Sequence, residues 1–269
     1  MINIEHSRDG RIVTLTLNRP EKRNALNQHL VRELERVIQT LGNDAFVRVI
    51  VLTGAGSVFS AGADLEALSS MQTASEGENL ADSRALASLF QCMRTSSKVI
   101  VARVNGHAIA GGSGLVAACD MAVAVKGAKF GFTEVRIGFI PALVSVLLQL
   151  RLKEADLRDL LLTGRLISAS DAAGIGLINK VVEEEQLDAA VWDMAESVSR
   201  NTSSEAVART KQLLSELSTG LRAGDMELAA RANASARQSD DCQAGIEAFL
   251  SKVQAPWVRS WEKDNGDPA

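Results

Sequence analysis

The sequence predicts an α/β fold, in which a core of alternating strands and helices is followed by a region made only of helices. Apolar runs with strand character alternate with segments of helical periodicity over roughly the first 180 residues, as in a parallel or mixed sheet covered by helices. Beyond about residue 184, apolar residues recur only at helical spacings of three and four. With 46% apolar and 23% charged residues, the 269-residue chain has the composition of a globular protein with a sizeable core.

Four apolar runs predict the strands of the core. Residues 12–17 read IVTLTL and alternate apolar residues with threonine, as a strand does. Residues 47–52 and 99–104 are largely apolar throughout, which is typical of strands that are covered on both faces. Residues 121–125, MAVAV, predict a fourth strand.

Helical periodicity fills the intervals between these strands. One apolar stripe predicts a helix after the first strand, with Asn24 as its candidate N-cap. The stripe consists of Leu26, Leu30, Leu34, Val37, Ile38 and Leu41. We also expect helices over about residues 82–93, over residues 113–118 and after Pro141.

The C-terminal region repeats the helical pattern without strands. Apolar residues recur at helical spacing in segments 187–198 and 207–217, and segment 224–237 is rich in alanine. Because these helices carry more apolar surface than three or four turns can bury alone, we expect them to pack on the core and on neighbouring subunits. We therefore divide the chain into a core with the active site, residues 1–185, and a helical oligomerisation region, residues 186–269.

Composition and charge exclude several classes of function. A formal charge of −4, 4% aromatic residues and no tyrosine argue against nucleic-acid binding. The chain has no apolar run of membrane-spanning length, and its first 15 residues do not form a secretory signal, so we expect a cytoplasmic protein that does not bind membranes. Cys92, Cys119 and Cys242 show neither disulfide nor zinc-site spacing, and no two histidines have ligand spacing, so we expect no metal.

Two turns rich in glycine and alanine are the candidate functional site. Segment 59–65 (FSAGADL) and segment 105–120 (NGHAIAGGSGLVAACD) each follow an apolar run that predicts a strand. Such turns leave backbone N–H groups accessible. If the two turns meet, two N–H groups can polarise a carbonyl oxygen without a metal or a charged side chain, which indicates chemistry on an activated acyl group.

The polar residues near these turns are assigned structural roles. Ser113 lacks the glycine two residues later that a nucleophile elbow requires. His107 is expected to be packed or hydrogen-bonded, and Asp64 and Asp120 are expected to brace turns. The glycines at 111–114 match no phosphate-binding motif.

Five ordered segments of the chain resemble the enoyl-CoA hydratase/isomerase family, the crotonase superfamily. They read NRPEKRNALN, VIVLTGAGSVFSAGADL, VNGHAIAGGSGLVAACD, AKFGFTEVRIGFIP and LLTGRLISASDAAGIGLINKVV, and AFLSK near the C-terminus resembles the closing motif of the family. The resemblance covers about residues 12–182. It implies a crotonase-like spiral of β-β-α turns followed by a helical trimerisation region, assembled as a homotrimer or as a hexamer built of two trimers.

The resemblance also implies the residues of the site. The oxyanion hole would consist of the backbone N–H groups of Ala63 and Gly111, and Glu134 would be the catalytic carboxylate. The implied contacts to coenzyme A are Arg23, Ala25, Ala61, Asp64, Leu65, Phe249 and Lys252. Local positive charge for the phosphates would come from Arg19, Lys22, Arg23 and Lys252. Coenzyme A belongs to the acyl-CoA substrate, so no separate cofactor is expected.

The sequence departs from the family at one catalytic position and leaves the reaction open. Hydratases of this family usually carry two glutamates, and Gly114 occupies the first position. Glu134 alone suffices to hydrate a 2,3 double bond or to move a double bond as a Δ3,Δ2-enoyl-CoA isomerase. A third alternative, from another class, is an acyl-CoA-binding protein with little catalysis.

We favour hydration because the pattern is similar to that of bacterial hydratases of the methylglutaconyl-CoA type. Arg84 and Arg136 are the candidate partners for the distal carboxylate of such a substrate. Residues 142–144 (ALV) stand where many hydratases have a glycine-rich turn, so we expect a reshaped acyl pocket.

Overall fold

Two sheets organise the chain, which the computed structural model describes over residues 1–7, 9–217 and 225–257. The strands are β1 (Ile2–His6), β2 (Ile12–Leu17), β3 (Val49–Gly54), β4 (Val58–Ser60), β5 (Val99–Val104), β6 (His107–Ile109), β7 (Met121–Val125), β8 (Lys129–Gly131), β9 (Ile167–Ser168) and β10 (Lys180–Val182). The helices are α1 (Gln28–Asn43), α2 (Leu65–Met71), α3 (Glu76–Thr95), α4 (Gly111–Ala118), α5 (Ala142–Leu148), α6 (Glu154–Thr163), α7 (Ala169–Gly174), α8 (Leu187–Asn201), α9 (Ser204–Leu217), α10 (Asp225–Ala236) and α11 (Asp240–Leu250). Short 3-10 turns span Pro20–Lys22, Glu134–Ile137 and Glu184–Gln186.

The larger sheet has six strands in the order β1-β2-β3-β5-β7-β10. Only the pair β1 and β2 is antiparallel, and the remaining neighbours are parallel. Every residue of β3 is buried, and α8 packs against β2, β3, β5 and β7. This burial explains why β3 and β5 are apolar in sequence rather than alternating.

The smaller sheet has four strands in the order β4-β6-β8-β9, of which the first three run parallel. The pairs β3-β4, β5-β6 and β7-β8 each begin in the larger sheet and end in the smaller one. Helices follow each pair, namely α2 and α3, then α4, then α5 and α6. The expected spiral of β-β-α turns is therefore confirmed.

The predicted elements agree with the structure in type, with shifted ends. Strands β2, β5 and β7 have the predicted limits, whereas β3 begins and ends two residues later than predicted. The helix predicted over residues 82–93 begins earlier, at Glu76, because Ser75 and Glu78 form a reciprocal capping box.

Asn24 is not the N-cap of the first helix, contrary to our prediction. Helix α1 is capped by Asn27, whose side chain accepts a hydrogen bond from the Leu30 amide. Asn24 is fully buried with a φ of 54°, and its side-chain amide donates to the carbonyls of Ala55 and Val58. Asn24 thus ties the loop after β2 to the turn between β3 and β4.

The C-terminal helices pack on the core, as predicted. Within the described residues, no strand follows β10. Helix α10 packs against α3 and α5, and α11 packs against α2 and the 3-10 turn Glu134–Ile137. None of the helices in the described ranges combines the length and the apolarity that crossing a membrane requires.

Candidate functional site

The candidate residues meet at one edge of the smaller sheet. Strands β4, β6 and β8 are neighbours and run parallel, so their carboxyl ends lie at the same edge. Ala63, Gly111 and Glu134 each lie two or three residues beyond the end of one of these strands. Because adjacent strands are about 5 Å apart, β4 and β8 are separated by only about 10 Å.

The two glycine-rich turns are in direct contact. Gly62 has a φ of +86°, and a methyl group placed on it would lie 2.8 Å from the Ile109 carbonyl oxygen and 3.4 Å from the Gly111 nitrogen. Glycine at position 62 therefore allows the left-handed backbone conformation and the close approach of the Ile109 carbonyl. The main chain around Ala63 consequently lies against the main chain around Gly111.

Both candidate N–H groups are left without a partner in the described part of the chain. Neither the Ala63 amide nor the Gly111 amide donates a hydrogen bond to these residues. Gly111 is the first residue of α4, where amides have no intrahelical acceptor, and the preceding Ala110 has no side chain to cap them. The N-terminus of a helix also carries a partial positive charge that favours an oxyanion.

Ala110 is held in a strained conformation at the start of α4. Its φ of 49° and ψ of −120° are unusual for a residue with a side chain. Its amide donates to the Gly131 carbonyl at 2.7 Å, which fixes the turn after β6 to the end of β8. This strain shapes the turn so that the Gly111 amide remains available.

Glu134 is the candidate catalytic carboxylate at this edge. It begins the 3-10 turn Glu134–Ile137, which we call the Glu134 turn, and its carbonyl accepts a hydrogen bond from the Phe139 amide at 3.0 Å. Its carboxyl oxygen Oε2 is buried and has no hydrogen-bond partner among the described residues. Burial raises the pKa of Glu134 to about 7, and its own backbone N–H offsets this effect in part. A carboxyl group with this pKa gains and loses a proton near neutral pH.

Apolar side chains fill the space beside Gly114, where the second carboxylate of the family would lie. A methyl group on Gly114 would lie 2.8 Å from both Phe90 Cζ and Val144 Cγ1. All three residues are buried. Glycine at 114 is thus a packing requirement, and an acidic side chain could not enter without displacing Phe90 or Val144.

Three of the seven coenzyme A candidates, Arg23, Ala25 and Ala61, lie beside the turn that follows β4. The Ala61 amide donates to the Arg23 carbonyl at 3.0 Å, and the Leu26 amide donates to the Gly62 carbonyl at 2.7 Å. Arg23 is exposed with a φ of 52°, and Ala25 is buried in the same loop. This loop and the end of β4 therefore form one continuous surface.

Asp64 braces its turn, as predicted, because its carboxylate is used within the protein. It caps α2 by accepting a hydrogen bond from the Glu66 amide at 2.9 Å, and it forms an ion pair with Arg19 at 2.7 Å. Burial opposes ionisation, but the Glu66 amide and Arg19 together hold the pKa of Asp64 below its usual value.

Arg19 does not supply exposed positive charge, contrary to our prediction. It is 8% exposed, donates to the Ala25 carbonyl at 2.7 Å and is neutralised by Asp64. Lys22 Nζ forms an ion pair with Glu66 Oε1 at 2.9 Å on the surface. Neither Arg23 nor Lys252 forms an ion pair in the described part of the chain.

The remaining coenzyme A candidates lie on or next to α2 and α11. Phe249 is 49% exposed near the end of α11, and Lys252 follows this helix on the surface. Leu65 begins α2, but its side chain lies outside the described residues. Helices α2 and α11 contact each other, and α2 begins two residues after Ala63.

The two arginines proposed for a distal carboxylate differ in availability. Arg84 on α3 donates from Nε to Glu227 of α10 at 2.9 Å at the surface, so its guanidinium is already engaged. Arg136 is exposed within the Glu134 turn, two residues from Glu134.

Sequence reasoning missed Arg237, which is buried near this edge. It is 5% exposed, pairs with Asp82 at 2.9 Å and places its guanidinium 5.7 Å from the centre of the Phe139 ring. Segment 224–237 indicated only a helix, and no local pattern marks Arg237 as buried.

Ser113 and His107 have the structural roles that were expected. Ser113 donates to the Ala108 carbonyl at 2.6 Å and accepts from the Gly131 amide at 3.2 Å, which joins β6 to β8. His107 Nδ1 accepts from the Lys129 amide at 3.2 Å. Among the residues that the structure describes, no group of three or more His, Cys, Asp and Glu side chains could hold a metal.

Known proteins share this sequence pattern and this fold. The profile of the family described as Enoyl-CoA hydratase/isomerase matches residues 7–260. A protein of Thermus thermophilus that is provisionally named an enoyl-CoA hydratase is 41% identical over 253 residues, which covers 94% of this chain and 98% of that protein. The short-chain-enoyl-CoA hydratase of Clostridium acetobutylicum is 34% identical over 74% of this chain and 76% of its own length. The crystal structure of an enoyl-CoA hydratase from Mycobacterium avium superposes with a TM-score of 0.83 at 34% identity, covering 96% of this chain and 98% of that one.

Proposed function

This chain belongs to the enoyl-CoA hydratase/isomerase family, and on that premise we propose that it adds water across the 2,3 double bond of an enoyl-CoA thioester. Glu134 transfers the proton, and the amides of Ala63 and Gly111 bind the thioester oxygen. One observation carries this proposal. A buried carboxyl oxygen and two amides, none with a hydrogen-bond partner among the residues that the structure describes, follow three adjacent parallel strands at the same edge.

The proposed reaction begins with polarisation of the thioester carbonyl by the two amides. The Glu134 carboxylate takes a proton from a water molecule while the water oxygen bonds to C3, and the π electrons move toward the thioester oxygen. The two amides stabilise the resulting enolate. Glu134 then delivers the proton to C2, so that one carboxyl group completes the addition and the product is a 3-hydroxyacyl-CoA. A pKa of about 7 suits both proton transfers.

For coenzyme A we propose contacts with the seven residues named above. The loop that carries Arg23 and Ala25 is hydrogen-bonded to Ala61 beside the two amides, and Asp64 holds the start of α2 next to them through its ion pair with Arg19. Leu65 follows at the start of α2. Phe249 near the end of α11 and Lys252 just after this helix would bind the far end of coenzyme A, because an exposed aromatic ring suits an adenine and an exposed ammonium suits a phosphate.

The principal experiment measures the loss of the conjugated thioester absorbance of crotonyl-CoA. Replacing Glu134 by Gln is expected to abolish turnover while acyl-CoA binding, followed by calorimetry, persists. Glu185→Gln is the matched control because Glu185 is an exposed glutamate of another 3-10 turn. A hydration rate that survives Glu134→Gln would refute the assignment of Glu134.

An isomerase is the second candidate, and one observation favours it. Phe90 and Val144 exclude a second carboxylate at Gly114, and moving a double bond requires only that Glu134 remove a proton at C2 and return it at C4. Separate incubations with a 2-enoyl-CoA and a 3-enoyl-CoA in ¹⁸O-labelled water distinguish the two reactions. Addition of one labelled oxygen to the 2-enoyl-CoA supports the hydratase, and conversion of the 3-enoyl-CoA into an unlabelled 2-enoyl-CoA supports the isomerase.

We further propose a substrate of the methylglutaconyl-CoA type, with Arg136 as the partner of its distal carboxylate. Arg136 is exposed and lies two residues from Glu134, whereas Arg84 is engaged by Glu227. Arg136→Gln is expected to lower kcat/KM for methylglutaconyl-CoA and to leave that for crotonyl-CoA nearly unchanged. If wild-type protein turns over methylglutaconyl-CoA no better than crotonyl-CoA, this substrate assignment fails.

A further inference from the structure

The C-terminal helix α11 touches the Glu134 turn through its main chain. Gly138, which ends this turn with a φ of +69°, leaves room for the Asp241 carbonyl, and a side chain at 138 would overlap it. Gly245 leaves room in the same way for the Ile137 carbonyl. Gly138 at the end of the turn and Gly245 on α11 thus allow the two main chains to approach more closely than residues with a Cβ would permit.

Arg237, which lies between α10 and α11, joins α3 to the residue Phe139 that follows the same turn. Its Nη2 pairs with Asp82 at 2.9 Å, its Nη1 donates to the side chain of Asn79 at 3.2 Å, and its guanidinium lies over the Phe139 ring. The Phe139 amide is the donor to the Glu134 carbonyl. Arg237 therefore connects α3 to Phe139, whose amide is hydrogen-bonded to the carbonyl of Glu134.

A small apolar cluster extends this connection to the other half of the site. Leu68 and Met71 of α2 pack with Cys242 and Ile246 of α11. Phe139 packs against this cluster from the Glu134 side. Since α2 begins directly after the turn that contains Ala63, α11 contacts the elements that carry both the oxyanion amide and the carboxylate.

We propose that Gly245 and Arg237 are positioning residues, through which α11 and the segment before it hold the Glu134 turn against α2 and keep bulk solvent away from the Glu134 carboxyl group. This proposal rests on the proposed catalytic role of Glu134. The C-terminal helical region then has a task within its own chain, which is to complete the environment of the proton-transfer group.

The electrostatic surroundings of Glu134 agree with water exclusion as the controlling factor. Titratable side chains on the elements packed against the turn are Arg136 on the turn itself, Asp156 and Asp159 in half-buried positions on α6, and Cys242 in a buried position on α11. The other charged residues of α6 and α11 are exposed. None of these groups contributes to the raised pKa of Glu134, which burial alone produces. Loosening the cover should therefore lower that pKa.

The first test is Gly245→Ala, which forces α11 and the turn apart. We expect kcat for crotonyl-CoA to fall at least about tenfold, since small displacements of catalytic groups are costly, while KM changes little. The acid limb of the pH-rate profile should move from near pH 7 toward the ordinary glutamate range. Gly174→Ala is the matched control, because a methyl group on this helical glycine meets nothing within 4 Å.

The second test addresses Arg237 through the rate and through a spectroscopic readout that does not depend on catalysis. Arg237→Lys retains a cation for Asp82 and should restore most of the rate that Arg237→Met loses. Infrared spectra of the protonated carboxyl band, assigned by its loss in Glu134→Gln, report the Glu134 pKa directly. We expect that pKa to fall in Gly245→Ala and in Arg237→Met.

The two proposals fail in distinguishable ways. An unchanged Glu134 pKa and an unchanged pH-rate profile in folded Gly245→Ala and Arg237→Met proteins would overturn the positioning role. Activity that survives Glu134→Gln would instead overturn the proposed function, and the infrared titration would still decide whether α11 covers the carboxyl group. If Gly245→Ala does not fold, the pair Arg237→Lys and Arg237→Met provides the decision.

Discussion

At the scale of single residues, Glu134 combines a chemical advantage with a cost in stability. Its carboxyl group is buried without an ion-pair partner in the described part of the chain, and its pKa rises from 4.5 to about 7. Between these values the folded protein holds the proton that the unfolded chain releases. Stability therefore falls as pH rises through this interval, and the cost is complete above pH 7.

Replacing Glu134 by Gln should consequently stabilise the protein at pH 8. The expected gain in free energy of unfolding is about 1 to 3 kcal/mol at pH 8 and close to zero at pH 5. Urea unfolding at both pH values, at one protein concentration, measures it. The control Glu185→Gln should show no such pH dependence, and an equal effect of Glu134→Gln at both pH values would contradict the raised pKa.

Gly114 leads to a second prediction at this scale. Introducing the family's first glutamate as Gly114→Glu should destabilise the protein by about 2 kcal/mol or more and should not increase hydration, because Phe90 and Val144 already fill that space. The double variant Gly114→Glu/Phe90→Ala should be less destabilised than the sum of the two single variants, because the smaller side chain at 90 leaves room for the new one. Thermal unfolding and the crotonyl-CoA assay test both statements. A single variant that is stable and hydrates crotonyl-CoA faster would show that Phe90 and Val144 move aside at little cost.

At the scale of elements, the turn between β4 and α2 is constrained at Gly62 both by its backbone conformation and by its close neighbours. Gly62→Ala would strain the left-handed backbone and push against Ile109 and Ala110. Since the Ala63 amide would move, we expect kcat to fall by about 10²- to 10³-fold, as when one oxyanion donor is lost.

The matched control for this substitution is Gly56→Ala. Gly56 has a similar φ of +72°, but the nearest atom to an added methyl group is Pro20 Cβ at 3.4 Å. Both variants should lose comparable stability from backbone strain, and only Gly62→Ala should lose the rate. Equal kinetic effects of the two substitutions would argue against the oxyanion role.

At the scale of the whole molecule, the helices beyond β10 have one side packed on the core and apolar side chains elsewhere that remain exposed. One side of α10 and α11 packs on α3, α5 and the Glu134 turn. Other apolar side chains of this region remain in contact with solvent in the single chain, such as Leu213 at 52% and Leu228 at 68% exposure. We expect these side chains to be covered in the homotrimer or hexamer that the family resemblance implies.

Light scattering after gel filtration tests this assembly. We expect a mass of three or six chains for wild type. Leu228→Glu should reduce that mass without lowering the helix content, because the side chain is already exposed within its own chain. A monomeric wild type would end the proposal of a trimer. An assembly unaffected by Leu228→Glu would place the interface elsewhere.

The sequence by itself determined the fold class, the long strands and helices, and the two turns whose amides are accessible. Periodicity over five or more residues records which faces are buried, so β2, β5, β7 and α1 could be predicted from it. The turn between β4 and α2 could be predicted because glycine and alanine clusters mark backbone that other residues cannot adopt.

Only the tertiary structure decided which groups meet and in what environment. Strands β4, β6 and β8 have three residues each, too few for a period, yet their parallel pairing brings Ala63, Gly111 and Glu134 to one edge. The sequence likewise could not show that Arg19 is neutralised by Asp64 or that Arg237 lies against Phe139. These contacts join residues distant along the chain, and burial and partnership, which set charge and pKa, arise only when the chain is folded.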